Sequence, residues 1–246
     1  MLGYPGSGKT VYLTVLFNEL AVNRTSGLTF SPYGSETIER VNNNLNILAR
    51  GEWLSSTVIG ELFPFRAIVV LKPRIYRRSF RIEIGDFAGE HVKEFMPLSE
   101  RWLHKSKYFN YVIQSDAVFL IVDMTSLLPV VKKEEVDQIQ NAFKAALQIL
   151  FEQKKVAIGK KMRTPVAIIL TKTDLCGFDE ALTIFKSRMR ELNGLCEQIL
   201  ENYHVFPISS VGAVKPDGNP PDRLRPYGIV EPLVWILKNA WRVEVV

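Results

Sequence analysis

The sequence GYPGSGKT, at residues 3–10, has the residue types and the spacing needed to bind the phosphates of a nucleotide. Its glycines let the backbone curl tightly and present N–H groups to phosphate oxygens. Lys9 would neutralise charge on the β and γ phosphates, and Thr10 would ligate Mg²⁺ at the start of a helix whose dipole also favours an anion. The residues that this motif assigns to the nucleotide are Gly3, Gly6, Ser7, Gly8, Lys9, Thr10 and Val11.

A second motif, DFAG at residues 86–89, follows an apparent strand. The carboxylate of Asp86 can hold Mg²⁺ through water, and the N–H of Gly89 can sense the γ-phosphate. An ordinary turn built from Asp and Gly is the alternative interpretation. Beside the first motif, the metal-binding interpretation is favoured.

The TKTD motif, Thr171, Lys172, Thr173 and Asp174, predicts which base is bound. The Asp174 carboxylate can accept from both N1–H and N2–H₂ of guanine, while the stem of Lys172 covers the ring. Adenine offers neither donor, so ATP would leave a desolvated carboxylate unpaired, a mismatch on the order of 10⁴-fold in discrimination. The predicted ligand is therefore GTP or GDP.

A fourth and weaker motif is formed by Ser209, Ser210 and Val211, which follow the next predicted strand. The backbone N–H of Ser210 could meet O6 of guanine. Alone, this short sequence would indicate little, but its position after a strand agrees with the other three motifs.

The elements that must position these motifs alternate between strands and helices. Hydrophobic periodicity predicts helices directly after residue 9 and over about 35–50, 95–107, 136–150, 182–199 and 231–241, and strands at 62–71, 79–86, 116–123, 165–174 and 205–210. Ser35 is the predicted cap of the second helix and Gly51 its stop signal. The pattern predicts an α/β P-loop NTPase fold with a mostly parallel sheet, one antiparallel hairpin and helices on both faces. Ligands of such sheets bind at the carboxyl ends of the strands.

Composition favours one globular domain over residues 1–246, since 47% of the residues are hydrophobic. No segment is apolar enough to cross a bilayer and no secretion signal is present, so we expect a cytoplasmic protein. Cys176 and Cys196 lie outside any metal-ligand or redox spacing and are expected to be reduced. The basic tract at 71–81 lacks the stacking aromatic residues of RNA-binding modules, so a solvated hairpin face is favoured over a membrane or acidic-partner contact, and no nucleic acid partner is expected.

The order GYPGSGKT, DFAG, TKTD and SSV, with a hairpin before DFAG, resembles Ras-like small GTPases of the TRAFAC class. The tract at 50–57, the helix inserted before it and the closing sequence at 226–237 are more similar to the bacterial double-GTPase group. The resemblance implies a GTPase that depends on Mg²⁺ and works with a protein effector or activating partner. It also implies a switch I threonine that covers Mg²⁺. Thr57 is the candidate, with Thr29 and Thr37 as alternatives and an ordinary loop threonine as the other interpretation.

Three residues depart from the Ras-like pattern. Glu90 stands in place of a water-orienting glutamine and cannot donate to the γ-phosphate, so we expect slow hydrolysis unless Glu90 is neutral or a partner supplies an arginine. His91 is a second candidate for positioning water, and a surface histidine is the alternative. Thr171 replaces the usual asparagine, which is expected to cost a side-chain tie to the phosphate loop. A nucleotide-gated scaffold with negligible turnover and a P-loop ATPase or kinase remain as alternative functions.

The first central strand of the fold is expected to be missing. Only Met1 and Leu2 precede Gly3, where about five apolar residues form such a strand. Unpaired ladder groups cost about 1 to 3 kcal/mol each, so we expect a chain that begins too late. The alternative is that WRVEVV, at residues 241–246, fills the gap, although its alternation suits an edge strand.

Overall fold

The described residues form two β-sheets with helices packed against them. The computed structural model describes residues 1–22, 28–57, 62–71, 78–88 and 107–240. The strands are β1 (Leu2–Gly3), β2 (Leu28–Pro32), β3 (Leu62–Leu71), β4 (Arg78–Phe87), β5 (Val118–Asp123), β6 (Val166–Thr171) and β7 (Tyr203–Pro207). The helices are α1 (Lys9–Val22), α2 (Ser35–Ala49), α3 (Lys107–Gln114), α4 (Lys133–Gln153), α5 (Phe178–Arg188), α6 (Arg190–Ile199) and α7 (Glu231–Ala240).

The first sheet is parallel and has the order β1-β5-β6-β7. All residues of β6 are buried, as are all those of β5 except Asp123, which explains their nearly continuous apolar sequences. In this sheet Gly3 pairs with Ile121, and Asp123 pairs with Thr171. The phosphate loop and the TKTD motif therefore begin at the same edge of the sheet.

The strand that was expected to be missing is reduced to two residues. Leu2 and Gly3 pair in parallel with Leu120 and Ile121 of β5. The amino group of Met1 donates to the carbonyl oxygen of Gly85 in β4 at 3.2 Å, so the chain start also contacts the second sheet. Residues 241–246, the alternative strand, lie outside the described residues.

The second sheet is antiparallel and has the order β2-β3-β4. The predicted hairpin is confirmed, because β3 and β4 pair from Leu62 opposite Phe87 to Leu71 opposite Arg78. The sequence did not predict β2, whose buried residues are only Leu28 and Phe30. Its formation depends on pairing with β3, which lies more than thirty residues further along the chain.

Side chains from the two faces of the parallel sheet enter two separate cores. One core joins alternate residues of β5 and β6, such as Leu120 and Ile168, to α4, α5 and α6. The other joins the intervening residues, such as Ile121 and Ile169, to α1, α2, α7 and the antiparallel sheet. Helices therefore cover both faces, as the sequence pattern predicted.

Two details of the helices differ from the sequence prediction. The single helix expected over 182–199 is divided at Met189, whose backbone (φ −111°, ψ 36°) is not helical, so that α5 and α6 can each bury an apolar face. Ser35 is the first residue of α2 rather than its cap, and the capping position is occupied by Gly34 without a side-chain hydrogen bond. Gly51 does follow the end of α2, with φ +76°.

Other expectations fall partly on residues that are not described. The helix expected over 95–107 lies outside the described residues except at its last position, where α3 begins. Most of the basic tract at 71–81 is outside them too. Within the described part of the chain, no helix has the length and apolarity needed to span a bilayer.

Candidate nucleotide-binding site

A cavity of about 510 Å³ lies at the carboxyl ends of the parallel strands. Small-molecule sites of proteins are mostly between about 300 and 1,000 Å³. The cavity is lined by residues of the phosphate loop, of the segment 53–57, of the TKTD motif and of the loop that follows β7. Three of the four sequence motifs, GYPGSGKT, TKTD and SSV, contribute to this lining, and the described residues of DFAG do not.

The phosphate loop connects β1 to α1. Gly6 and Gly8 have φ of +72° and +80°, a left-handed conformation that favours glycine. A Cβ at Gly3 would lie 2.8 Å from Cβ of Ile121, so the close approach of β1 to β5 also requires glycine. Lys9 is buried, and its Nζ donates to the carbonyl oxygens of Gly3 at 2.9 Å and Tyr4 at 2.8 Å. These contacts hold the ammonium group inside the loop.

Three oxygen-bearing side chains from three segments meet beside this loop. Thr10 Oγ1 donates to Oδ2 of Asp86 at 2.7 Å, and it lies 3.2 Å from Oγ1 of Thr57. The second carboxylate oxygen of Asp86, Oδ1, is buried and has no hydrogen-bond partner in the part of the chain that the structure describes. Hydroxyl and carboxylate oxygens are suitable ligands for Mg²⁺, so the residues fit this ion.

The electrostatics of Asp86 reflect its position. Burial raises the pKa of this carboxyl group, while the hydrogen bond from Thr10 and the positive charges of Lys9 and Arg40 oppose that rise. A buried carboxylate that keeps an unpaired oxygen is stabilised by a cation. A cation beside Thr10 would therefore offset the burial of the Asp86 carboxylate.

The two alternative switch threonines lie elsewhere. Thr29 is exposed on β2, opposite Val70. Thr37 is buried in α2, where its hydroxyl donates to the carbonyl oxygen of Pro64 at 3.4 Å and accepts from the backbone N–H of Arg66 at 3.3 Å. Of the three candidates, the structure brings only Thr57 to Thr10 and Asp86.

The base end of the cavity is built around Asp174, in a short 3₁₀ turn (Thr173–Leu175). The preceding residue, Thr173, is buried and fixes the turn, because its hydroxyl donates to the carbonyl oxygen of Ile208 at 2.9 Å and lies 2.7 Å from the hydroxyl of Tyr227. Oδ1 of Asp174 is buried without a partner among the described residues. It is therefore available to accept a hydrogen bond from a ligand in the cavity.

Lys172 connects the base end to the phosphate loop. Its backbone is left-handed (φ +60°), which few residues other than glycine adopt. Its Nζ donates to the carbonyl oxygen of Gly6 at 3.0 Å and to Oδ2 of Asp123 at 2.6 Å. Asp123 is not among the residues predicted from the sequence, although an Asp at the end of a buried strand is itself a signal.

The expectation that Thr171 loses its tie to the phosphate loop was wrong. The Thr171 side chain is buried, and its hydroxyl donates to the carbonyl oxygen of Ser7 at 2.9 Å. The hydroxyl reaches this carbonyl because β6 ends directly beside the loop. Threonine thus supplies a bond that the sequence analysis expected only from asparagine.

Ser209, Ser210 and Val211 also line the cavity, where β7 leads into a long loop. Ser209 exchanges two backbone hydrogen bonds with Tyr227, at 3.2 and 3.0 Å, which closes the loop on itself. Its Oγ accepts from the N–H of Gly212 at 2.9 Å. A Cβ at Gly212 would lie 2.4 Å from the carbonyl oxygen of Arg225, so this closure requires glycine.

The segment 53–57 covers the cavity along its length. It runs from Thr10 and Thr57, here called the metal end because the sequence predicts Mg²⁺ there, to the base end at Asp174. At its far end, Nε1 of Trp53 donates to the carbonyl oxygen of Gly218 at 2.8 Å. The loop after β7 is therefore joined to the same segment that carries Thr57. This contact is not predictable from the sequence, because the two residues are far apart in the chain.

Unpaired buried atoms are concentrated at this site. Among the described residues, the buried side-chain atoms without a hydrogen-bond partner are Ser7 Oγ, Arg40 Nε, Asp86 Oδ1 and Asp174 Oδ1. Ser7 belongs to the phosphate loop, Asp86 to the metal end and Asp174 to the base end. Buried polar atoms are normally paired. Of these three residues only Asp174 lines the cavity, so its Oδ1 is the unpaired atom that a ligand in the cavity would complete.

Three residues assigned from the sequence cannot be placed. Gly89, Glu90 and His91 lie outside the described residues. The residues assigned to the phosphates, to the metal and to the base otherwise converge on one site.

Comparisons with known proteins bear on the family and on the fold. The model of a family described as Double-GTPase 1 matches residues 1–168. Among solved structures, the chain is similar to the Arl6 BBS3 small GTPase from Trypanosoma brucei with bound nucleotide analogue GppNp, at 16% identity, covering 98% of this chain and 95% of that chain, with a TM-score of 0.50. That likeness concerns the fold, and it confirms the predicted P-loop architecture. No curated protein matches the chain significantly.

Proposed function

The chain belongs to the double-GTPase 1 family, and from this premise we propose that it is a Mg²⁺-dependent molecular switch that binds GTP, hydrolyses it slowly and acts through a protein partner. The family and the small-GTPase fold support the binding of a guanine nucleotide. We further propose that residues 1–246 form one nucleotide-binding domain, in which α2 is an insertion before the switch segment 53–57.

The observation that carries the proposal is the unpaired, buried Oδ1 of Asp174, which lies in the lining of the cavity. N–H donors of a guanine ring would satisfy this oxygen and remove its desolvation cost. The meeting of Thr10, Thr57 and Asp86 beside the phosphate loop supports Mg²⁺ as the companion of the nucleotide.

Specificity for guanine is assigned to Asp174, supported by the Lys172 stem and by the N–H of Ser210. Because Oδ1 of Asp174 is buried, an adenine ring in the same place would leave it without a donor. If the chain were an ATPase or kinase, this buried carboxylate would have no hydrogen-bond donor on the base. GTP is therefore favoured over ATP.

We assign the hydrolysis of GTP to the part of the site beside the phosphate loop. Lys9 would stabilise charge that develops on the phosphates, and Mg²⁺ held by Thr10, Thr57 and Asp86 would add to that stabilisation when bound. Glu90 is proposed to orient the attacking water, with the N–H of Gly89 at the γ-phosphate. A glutamate accepts from water but donates nothing to the phosphate, so slow turnover without a partner is proposed.

Equilibrium binding of fluorescent GDP, GTP and ATP, with and without Mg²⁺, tests the proposal. The wild type should bind GDP and GTP far more tightly than ATP, and Asp174→Asn should lose most of that preference. Asp179→Asn is the matched control, because Asp179 is an exposed carboxylate at the start of α5. Equal affinity of the wild type for GTP and ATP would contradict the base assignment, and the absence of phosphate release in single-turnover assays would favour a scaffold over an enzyme.

A further inference from the structure

Asp123, at the carboxyl end of β5, has a role in the site that goes beyond the four motifs. Its Oδ2 accepts from Nζ of Lys172 at 2.6 Å, and Nζ also donates to the carbonyl oxygen of Gly6 at 3.0 Å. We propose that Asp123 is a positioning residue that fixes Lys172 between the phosphate loop and the base and thereby slows nucleotide release. This inference rests on the proposed binding of a guanine nucleotide.

Lys172 needs such a partner because of its own chemistry. A lysine side chain has four rotatable bonds, and ordering it on a bound ring costs conformational entropy. Its side chain keeps 39% of its exposure, so packing alone does not hold it. A fixed counter-ion restricts the side chain before the nucleotide arrives, which is the preorganisation that strengthens binding.

Asp123 is itself held in place before it meets Lys172. Its Oδ1 accepts from the backbone N–H of Thr125 at 2.9 Å and from the hydroxyl of Thr125 at 2.7 Å. The side chain is only 12% exposed, so solvent screens its charge weakly. One carboxylate oxygen thus anchors the group, and the other is directed at the ammonium group of Lys172.

The phosphate loop is also stabilised by this arrangement. Two consecutive carbonyl groups of the loop, at Gly6 and Ser7, accept from two consecutive residues of the base motif, Lys172 and Thr171. Asp123 controls the first of these two bonds, because it fixes the donor. A loss of Asp123 should therefore loosen contacts to both the base and the phosphates.

An ion pair that merely joins the ends of β5 and β6 is the competing explanation. Asp123 and Thr171 are already neighbours in the parallel sheet, so a purely structural pair would affect folding without acting through Lys172. A double-mutant cycle distinguishes the two, because it measures whether the effect of one residue depends on the other.

The cycle uses the dissociation rate of N-methylanthraniloyl-GDP from the full chain with Mg²⁺. Asp123→Asn preserves the shape and an acceptor for Thr125 but removes the charge, and it should speed dissociation about tenfold. Lys172→Ala should speed it at least as much. The double variant should release nucleotide no faster than Lys172→Ala alone. Equal effects of Asp123→Asn in both backgrounds would overturn the proposal.

A second variant keeps the test decisive if Asp123→Asn folds poorly. Thr125→Ala removes one donor that orients the carboxylate while leaving the ion pair, and it should speed release about twofold to threefold, again only where Lys172 is present. Unchanged release in both Asp123→Asn and Thr125→Ala defeats the inference. If the wild type fails to retain the labelled GDP at all, the proposed function has failed instead, so the two failures are distinguishable.

Discussion

The hydroxyl oxygens of Thr10 and Thr57 lie 3.2 Å apart, although 47 positions separate the two residues in the chain. Thr10 lies in the first turn of α1, and Thr57 belongs to the segment that covers the cavity. Their contact places the covering segment directly at the metal end of the site. A metal ion bound there would contact both the phosphate loop and the segment that is proposed to switch.

Thr57→Ala should therefore weaken the response of the GTP-bound protein to Mg²⁺. The Mg²⁺ concentration that gives half of the full GTP affinity should rise about tenfold, because one oxygen ligand is lost. Titration of Mg²⁺ against a fluorescent GTP analogue measures this midpoint. Thr29→Ala, which changes an exposed threonine of β2, is the control. Matching midpoints for Thr57→Ala and the wild type would remove Thr57 from the metal site.

Thr171→Val should weaken the binding of GDP and GTP alike. Valine keeps the shape of threonine but leaves the carbonyl oxygen of Ser7 without the donor that now lies at 2.9 Å. A lost bond to a buried group costs about 1 to 3 kcal/mol, so an affinity loss of about tenfold is expected. Isothermal titration calorimetry gives the affinities. Thr171→Ser keeps the hydroxyl and should retain most of the binding, and equal losses in both variants would contradict the role assigned to that hydroxyl.

Trp53→Phe should loosen the covering segment at its base end. Phenylalanine retains an aromatic ring but lacks the N–H that donates to the carbonyl oxygen of Gly218. The bond is exposed to solvent, so dissociation of a fluorescent GTP analogue should speed up only about threefold. Trp235→Phe is the control, because Trp235 packs beside Phe206 on β7 and does not line the cavity. A rate equal to that of the wild type would show that this contact does not retain the nucleotide.

Much of the fold and of the site follows from local sequence. The phosphate loop, the hairpin and the buried strands β5 and β6 each carry their signal within about ten residues, in glycine spacing or apolar runs. Features that depend on distant partners were not predicted. The strand β2 forms only against β3, Asp123 acquires its role only where Lys172 folds over it, and Trp53 meets Gly218 only in the assembled site.

The helix α2 and the strand β2 also limit where a further strand can pair with the antiparallel sheet. From Leu71 to Ala67, the outer edge of β3 is paired with β2. Further along that edge, the hydroxyl of Thr37 donates to the carbonyl oxygen of Pro64 and accepts from the backbone N–H of Arg66. On the side of this sheet opposite β4, an added strand would therefore pair with β2, which offers five residues and ends in Pro32, where no N–H is available to continue the ladder.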